Sequence, residues 1–263
     1  CGEIDVANVA DVAQRLIRAQ ETGIPIPPVR GEIKGVDEAY AVQHETLRHW
    51  TRVGGKVAGR KIGLTSKAVQ AQLGVDEPDF GVLLEDMIRS DSAKIELGAV
   101  LQPRVEAEIA FVLAKDLAGE KISAEQVLMA TEYVCPALEI CGSRIAHWDI
   151  KIEDTIADNA SAGLVVIGER RSLRPSLDAL ASTGMSLKRD GTEVAHGRGE
   201  ACLGNPALAV AWLAEALTRF GERLQAGDLV MSGALAKMIA ANPGDCFEAR
   251  FGNFGSVFAR FES

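Results

Sequence analysis

The chain has 263 residues, of which 47% are hydrophobic and 25% are charged, the balance of a soluble globular protein that can bury a large core. Its formal net charge of -9 argues against broad contact with nucleic acid or an anionic membrane, because both reward clustered cations. We find no apolar run long enough to cross a bilayer, and the mixed, acidic opening residues lack the order of a secretory signal, so a cytoplasmic protein is expected.

The N-terminal region is predicted to be helical. Apolar residues at helical spacing predict a helix over 6–18, which the proline-rich segment at 23–28 ends. A second helix is predicted over 37–51, with Asp37 as its N-cap. We therefore expect a helical region over residues 1–55 and a β-rich catalytic core over 56–263, the two forming one continuous unit.

The core is predicted to contain many short strands and few helices. Strand patterns, several of them bounded by glycine or proline, occur at 56–64, 78–87, 101–117, 134–141, 165–170, 185–197, 227–233, 243–251 and 255–262. Helices are predicted at 66–74, 124–133 and 205–221. The segment at 185–197 is predicted to be a hairpin that turns at Asp190-Gly191. This mixture favours an α+β fold and leaves its topology open.

An unusual set of carboxylates lies on two of the predicted strands. Because side chains alternate along a strand, Glu106 and Glu108 in VEAEIAFVL point to one face, whose neighbouring positions are apolar. Glu139 is the only charge in the apolar run VCPALEIC. Buried carboxylates need a cation, an arginine or a proton, and three of them suit a hard ion such as Mg²⁺ or Mn²⁺. A solvated charged face is the alternative that spacing alone leaves open.

Four segments resemble, in the same order along the chain, one family of enzymes. They are GRKIGLTSKAVQAQLGVDEPDFGVL (59–83), LQPRVEAEIAFVL (101–113), CPALEICGSRIAHWDIKIEDTIADNAS (135–161) and GRGEACLGNPALAVAWLA (197–214). On these segments the chain resembles the 2-hydroxypentadienoate hydratases, also called 2-keto-4-pentenoate hydratases, of the fumarylacetoacetase-like superfamily.

This resemblance implies a fold, an activity and a cofactor. The fold would be a mixed β-roll core of the fumarylacetoacetase-like type with a helical N-terminal region, in a homo-oligomer often built from pentamers. The activity would be addition of water to 2-hydroxypenta-2,4-dienoate, giving 4-hydroxy-2-oxopentanoate, in the meta-cleavage degradation of aromatic compounds. One Mg²⁺ or Mn²⁺ ion would be held by Glu106, Glu108 and Glu139.

The resemblance also implies roles for four further residues. Lys61 matches the family's active-site lysine, which would transfer a proton or hold the substrate carboxylate. Asp79 matches a position near the metal pocket, where it would position water or pair with Lys61. Ser161 and the backbone amides beside Gly233 would bind the substrate carboxylate.

Other motifs are expected to serve structure rather than chemistry. The five cysteines contain no CxxC pair and are expected to be reduced thiols. Arg144 and Asp149, in GSRIAHWD, are expected to form a structural ion pair. GRGEACLG lacks the strand and helix context of a phosphate-binding loop.

Three other functions remain open from the sequence. The sister enzyme 4-oxalocrotonate decarboxylase shares the fold and the three-carboxylate site of the family, and a hydratase for a longer 2-hydroxydienoate is equally compatible with the metal site. A non-catalytic subunit that associates with a pathway enzyme belongs to a different class, and it need not retain Lys61 or the three glutamates. The substrate in either enzymatic case is a small 2-hydroxy or 2-oxo acid.

Overall fold

The computed structural model describes residues 4–66, 70, 77–169, 171–173 and 175–262, and at Leu97 it describes only the backbone. These residues form helices and two β-sheets. The strands are β1 (Val57–Gly63), β2 (Asp79–Leu84), β3 (Ile88–Ser90), β4 (Ala93–Ile95), β5 (Arg104–Leu113), β6 (Thr131–Cys141), β7 (Leu164–Ile167), β8 (Gly184–Arg189), β9 (Thr192–Arg198), β10 (Leu229–Met231), β11 (Ile239–Ala240), β12 (Cys246–Phe251) and β13 (Gly255–Phe261). The helices are α1 (Val6–Thr22), α2 (Gly35–Arg52), α3 (Ala124–Ala130), α4 (Ile152–Ala157), α5 (Leu177–Ser182) and α6 (Pro206–Arg219). The predicted α+β class is confirmed, and the helix predicted over 66–74 falls largely outside the described residues.

The two N-terminal helices form where the sequence predicts them, with one difference in capping. Asp37 lies inside α2 rather than at its N-cap. The helix begins earlier because the carboxylate of Glu38 accepts the backbone N–H of Lys34 at 2.6 Å and so caps the first turn.

Among the described residues the larger sheet has eight strands. Seven follow the order β2-β1-β10-β5-β6-β7-β3, and β11 pairs with β5. The smaller, five-stranded sheet has the order β4-β13-β12-β8-β9. Its β8–β9 hairpin turns at Asp190-Gly191, where both residues have positive φ, 52° and 80°, as the predicted tight turn requires.

The long β5–β6 pair at the centre of the larger sheet changes one predicted boundary. The helix predicted over 124–133 ends at Ala130, and β6 begins at Thr131. The reason is pairing, because Thr131 already lies opposite Leu113 on β5. The β5–β6 pairing therefore includes residues that local periodicity assigns to a helix.

Helix α6 is a core helix. It starts as predicted, with the Asn205 side chain accepting the N–H of Ala207 and with proline at its first turn. Contrary to the expectation from the sequence, the stretch Gly199–Arg219 is long and apolar enough by composition to span a membrane, but 61% of its apolar window is buried inside the fold. One hydrophobic cluster joins helices and both sheets and includes Leu16, Val42, Phe80, Ile109, Leu213 and Phe247. This cluster includes residues on both sides of the predicted division at residue 55. The division itself stays a prediction.

Candidate active site

Three carboxylates share one face of the β5–β6 pair. Glu106 lies directly opposite Glu139 in the antiparallel register, and Glu108 follows two residues along β5 on the same face. Glu108 and Glu139 have no solvent exposure, and Glu106 is partly buried. A solvated charged face, the alternative left open by the sequence, therefore does not describe this part of the sheet.

The carboxylates repel each other and are poorly compensated. Burial and the charge of Glu139 raise the pKa of Glu106 to about 7, and burial with both neighbouring carboxylates raises the pKa of Glu108 well above its ordinary value. Glu108 Oε2 accepts the backbone N–H of Gly233 at 2.8 Å. Within the described residues, Glu108 Oε1 and both oxygens of Glu139 have no hydrogen-bond partner. Such a set has an unmet need for positive charge.

A cysteine that sequence reasoning treated as an ordinary buried thiol completes the cluster. One ligand atom from each of Glu106, Glu139 and Cys141 lies within 4.8 Å of the others. The Cys141 Sγ is 3.5 Å from Glu106 Oε2. The spacing in the sequence could have indicated Cys141, because it lies two residues from Glu139 on one strand and therefore shares its face. The donor set, dominated by carboxylate oxygens, fits a hard divalent cation.

Lys61 provides the buried cation of the site. Its Nζ lies 3.1 Å from Glu139 Oε1, without the angles of a hydrogen bond, and donates to the carbonyl oxygen of Ala160 at 2.8 Å. Burial alone would lower the pKa of Lys61, but Glu139 and the neighbouring acidic groups raise it above its ordinary value. Lys61 is therefore an ammonium group directed into the carboxylate cluster.

Asp79 is buried next to Lys61 but does not form an ion pair with it. Its Oδ2 accepts the Thr155 hydroxyl at 3.2 Å, while Oδ1 has no partner within the described residues. A Cβ added to Gly63 would lie 2.1 Å from Asp79 Oδ1 and 3.5 Å from Lys61 Nζ. Gly63 thus leaves open the space that both side chains border. The direct Asp79–Lys61 pair considered from the sequence is wrong, because Glu139 takes the ammonium group instead.

A left-handed turn at residues 159–161 supports this arrangement. Asn159, Ala160 and Ser161 have consecutive φ values of 54°, 50° and 56°, a conformation that costs free energy in residues other than glycine. The Asn159 side chain holds the turn against β2, because it accepts the N–H of Val82 at 2.8 Å and donates to the Val82 carbonyl at 2.9 Å. The turn presents the Ala160 carbonyl to Lys61. Sequence reasoning noticed only Ser161 here and missed Asn159.

Gly233 has a different contact from the one expected. Its own backbone N–H donates to Glu108 at 2.8 Å, so this amide orients a carboxylate, and substrate binding by the amides beside it stays a prediction. Its φ of 106° and the Thr65 side chain, 2.4 Å from where a Cβ would stand, both require glycine at this position.

The predicted Arg144–Asp149 ion pair is wrong. Arg144 is buried against Asp158, to which its side chain and its backbone N–H both bond. Asp149 instead pairs with Arg30 at 2.9 Å near the surface. Asp158 directly follows helix α4, which brings it back onto Arg144, and sequence proximity alone could not indicate that return.

Comparison with known proteins agrees with the resemblance seen in the sequence. The model of the family described as "Fumarylacetoacetate (FAA) hydrolase C-terminal" matches residues 38–262. The chain is 50% identical over 255 residues to a 2-keto-4-pentenoate hydratase of Paraburkholderia xenovorans (strain LB400), covering 96% of this chain and 94% of the relative. It is 43% identical over 247 residues to a 2-hydroxyhexa-2,4-dienoate hydratase of Comamonas testosteroni, covering 93% of each.

Solved structures with the same fold include metal complexes. The 4-oxalocrotonate decarboxylase from Pseudomonas putida G7, complexed with magnesium and adipate, has a TM-score of 0.94 and 32% identity, over 99% of this chain and 100% of that one. A fumarylpyruvate hydrolase from Pseudomonas aeruginosa, in complex with Mn²⁺ and pyruvate, has a TM-score of 0.63 over 79% of this chain and 89% of that one. At 15% identity the second likeness concerns the fold alone. The expected fold is thereby confirmed.

Proposed function

Since this chain belongs to the fumarylacetoacetate hydrolase family, we propose that it is a hydro-lyase that adds water to 2-hydroxypenta-2,4-dienoate and gives 4-hydroxy-2-oxopentanoate. The observation that carries the proposal is the buried Glu139, whose carboxylate lies 3.1 Å from the Lys61 ammonium while its oxygens lack hydrogen bonds within the described residues. A buried cation and buried, uncompensated carboxylates suit a cofactor ion and a small organic anion together.

A divalent cation, Mg²⁺ or Mn²⁺, fits the carboxylate cluster. Glu106, Glu108 and Glu139 would hold it through oxygens, of which three are buried and unpartnered within the described residues. When bound, the ion supplies Lewis-acid polarisation of the substrate's carboxylate and 2-oxygen. Gly233 supports this assignment by fixing one oxygen of Glu108 through its amide.

The chain's own residues would handle the protons and orient the substrate. Hydration requires a proton to move from the 2-hydroxyl group to C5 and water to add across C3 and C4, with its hydroxyl at C4 and a proton at C3. Lys61 is charged and buried, so it would orient the substrate carboxylate and donate a hydrogen bond from Nζ. Asp79 Oδ1 borders the same space and would accept the proton of the attacking water. Ser161 would contact the substrate from the left-handed turn.

Relatedness favours hydration over the alternatives. The identity is 50% to the hydratase and 32% to the decarboxylase. A hydratase for a longer 2-hydroxydienoate is the second candidate, because the hexadienoate enzyme is 43% identical over nearly the same length. A non-catalytic subunit would not need the set formed by Lys61, Asp79 and the three glutamates.

Three further features are part of the proposal. A homo-oligomer based on pentamers and an association with another enzyme of aromatic degradation are what the resemblance to the hydratases implies, and we include both in the proposal. A cytoplasmic location is supported by the thiols, since the described cysteines, Cys135, Cys141, Cys202 and Cys246, are all free.

The test uses metal-stripped protein and freshly prepared 2-hydroxypenta-2,4-dienoate, with and without Mn²⁺ or Mg²⁺. The expected result is a metal-dependent product heavier by one water, identified by mass because loss of dienol absorbance can also report ketonisation. Metal-dependent release of CO₂ from 2-oxohex-3-enedioate without hydration would instead identify a decarboxylase. Faster hydration of 2-hydroxyhexa-2,4-dienoate would assign the longer substrate.

A further inference from the structure

We propose that Thr155 is a positioning residue that relays a proton between Asp79 and Ser161. The proposal rests on the proposed hydratase function and adds a residue that neither the sequence motifs nor the carboxylate cluster assigns. Its basis is a chain of three polar groups that runs from the buried Asp79 to the turn beside Lys61.

The geometry connects the three side chains. Thr155 lies in α4 and is 5% exposed. Its Oγ1 is 3.2 Å from Asp79 Oδ2 and 3.5 Å from Ser161 Oγ. Both oxygen–oxygen distances are longer than the roughly 2.5–3.0 Å that is usual between hydroxyl and carboxylate oxygens, as catalytic hydrogen bonds often are when no substrate is bound.

The number of hydrogens on these three groups fixes which of them donates each hydrogen bond. A threonine hydroxyl has one hydrogen to donate and lone pairs to accept. When Asp79 is ionised it can only accept, so Thr155 donates to Asp79 and Ser161 must donate to Thr155. The Ser161 oxygen then offers lone pairs to the site. When Asp79 is protonated, all the donors reverse and Ser161 offers its hydrogen to the site.

The reversal moves one proton with no change in the number of bonds. A proton that arrives at Ser161 Oγ displaces the Ser161 hydrogen to Thr155 Oγ1, and the Thr155 hydrogen passes to Asp79 Oδ2. The opposite sequence returns a proton from Asp79 to the face of Ser161. Such a relay suits a reaction in which one proton is removed from an oxygen and another is delivered to carbon.

A buried glutamine links the backbone beside Asp79 to the backbone beside Thr155. Gln43 Nε2 donates to the carbonyls of Phe80 at 2.9 Å and Ile156 at 3.0 Å. These residues directly follow Asp79 and Thr155 in the chain. Gln43 therefore ties β2 to α4 at the point where the Asp79–Thr155 hydrogen bond forms.

The experiment compares Thr155→Val, which keeps the shape and removes the hydroxyl, with Thr155→Ser, which restores it. We expect Thr155→Val to lower kcat on the order of 10²-fold, the scale of a lost proton-transfer group, with KM and Mn²⁺ affinity near the wild-type values. Thr155→Ser should recover most of kcat. Thr46→Val is the matched control, since Thr46 is a buried threonine whose hydroxyl has no hydrogen-bond partner within the described residues.

A double-variant comparison tests whether Thr155 acts through Asp79. In the Asp79→Asn background, Thr155→Val should cost little more than Asp79→Asn alone. The relay would be overturned if the losses of kcat in Asp79→Asn and Thr155→Val multiplied in the double variant. An unchanged kcat in Thr155→Val, or no recovery of kcat in Thr155→Ser, would overturn it as well. If Thr155→Val does not fold, Thr155→Cys replaces it, because a thiol of similar size is a weak hydrogen-bond donor. Wild-type protein inactive toward every dienoate would overturn the proposed function itself, and the relay with it.

Discussion

Glu106 and Glu139 lie directly opposite each other on neighbouring antiparallel strands, the arrangement in which like charges come closest within a sheet. A fold that tolerates this repulsion in a buried place gives up stability there. The same repulsion is what makes the pair a strong site for a cation. Stability and metal binding should therefore respond in opposite directions when one of the charges is removed.

Glu106→Gln should separate these two effects. We expect Mn²⁺ affinity to fall on the order of 10²-fold or more, because a direct ligand should cost at least as much as an outer one. The melting temperature of the metal-free protein should rise, because a buried repulsion is relieved. Isothermal titration and thermal unfolding in a chelator measure the two, with Glu132→Gln, an exposed glutamate on the neighbouring strand β6, as control. Unchanged Mn²⁺ affinity would remove Glu106 from the site.

The stability of the metal-free protein should depend on pH through Glu106. The folded protein holds the Glu106 proton up to a pKa of about 7, whereas the ordinary value is 4.5. Between these values the folded state binds more protons than the unfolded state, so the free energy of unfolding should fall as pH rises. Urea unfolding at about pH 5 and about pH 8 measures this slope, which should be smaller in Glu106→Gln. An equal slope in both proteins would contradict the assignment.

Gly63→Ala should disable the site by displacing Asp79. The added Cβ would lie 2.1 Å from Asp79 Oδ1, so the buried carboxylate must move away from the space that it shares with Lys61. We expect kcat to fall on the order of 10²-fold and the free energy of unfolding to fall by about 1–3 kcal/mol. Gly98→Ala is the control, because no atom lies within 4 Å of its added Cβ. Equal kinetics in the two variants would show that the space beside Asp79 is not used.

Asn159→Ala should loosen the left-handed turn. It removes both side-chain hydrogen bonds to Val82 and leaves the Val82 amide and carbonyl of β2 unpaired. The expected loss is about 3 kcal/mol in the free energy of unfolding, together with a lower kcat, because the Ala160 carbonyl no longer fixes Lys61. Denaturant unfolding and steady-state kinetics measure both, against Asn253→Ala at an exposed asparagine. A stable variant with lowered kcat would show that the turn serves catalysis alone.

The sequence by itself determined those features that depend on local spacing. Strand alternation was enough to place Glu106 and Glu108 on one face, and capping residues were enough to begin α6 at Pro206. Long matching segments identified the family and with it the candidate residues Lys61 and Asp79. Each of these inferences uses residues that are neighbours in the chain or positions shared with relatives.

Tertiary structure alone decided which of these groups meet. The partner of Lys61 is Glu139 and not Asp79, Arg144 pairs with Asp158 and not Asp149, and Thr155 approaches Asp79 across 76 positions of sequence. Burial and register set these contacts, because a desolvated charge binds whatever opposite charge or dipole the packing brings within reach. No periodicity in the chain encodes these long-range contacts. The carboxylates of the site could therefore be named from the sequence, but the charged groups that each of them contacts could not.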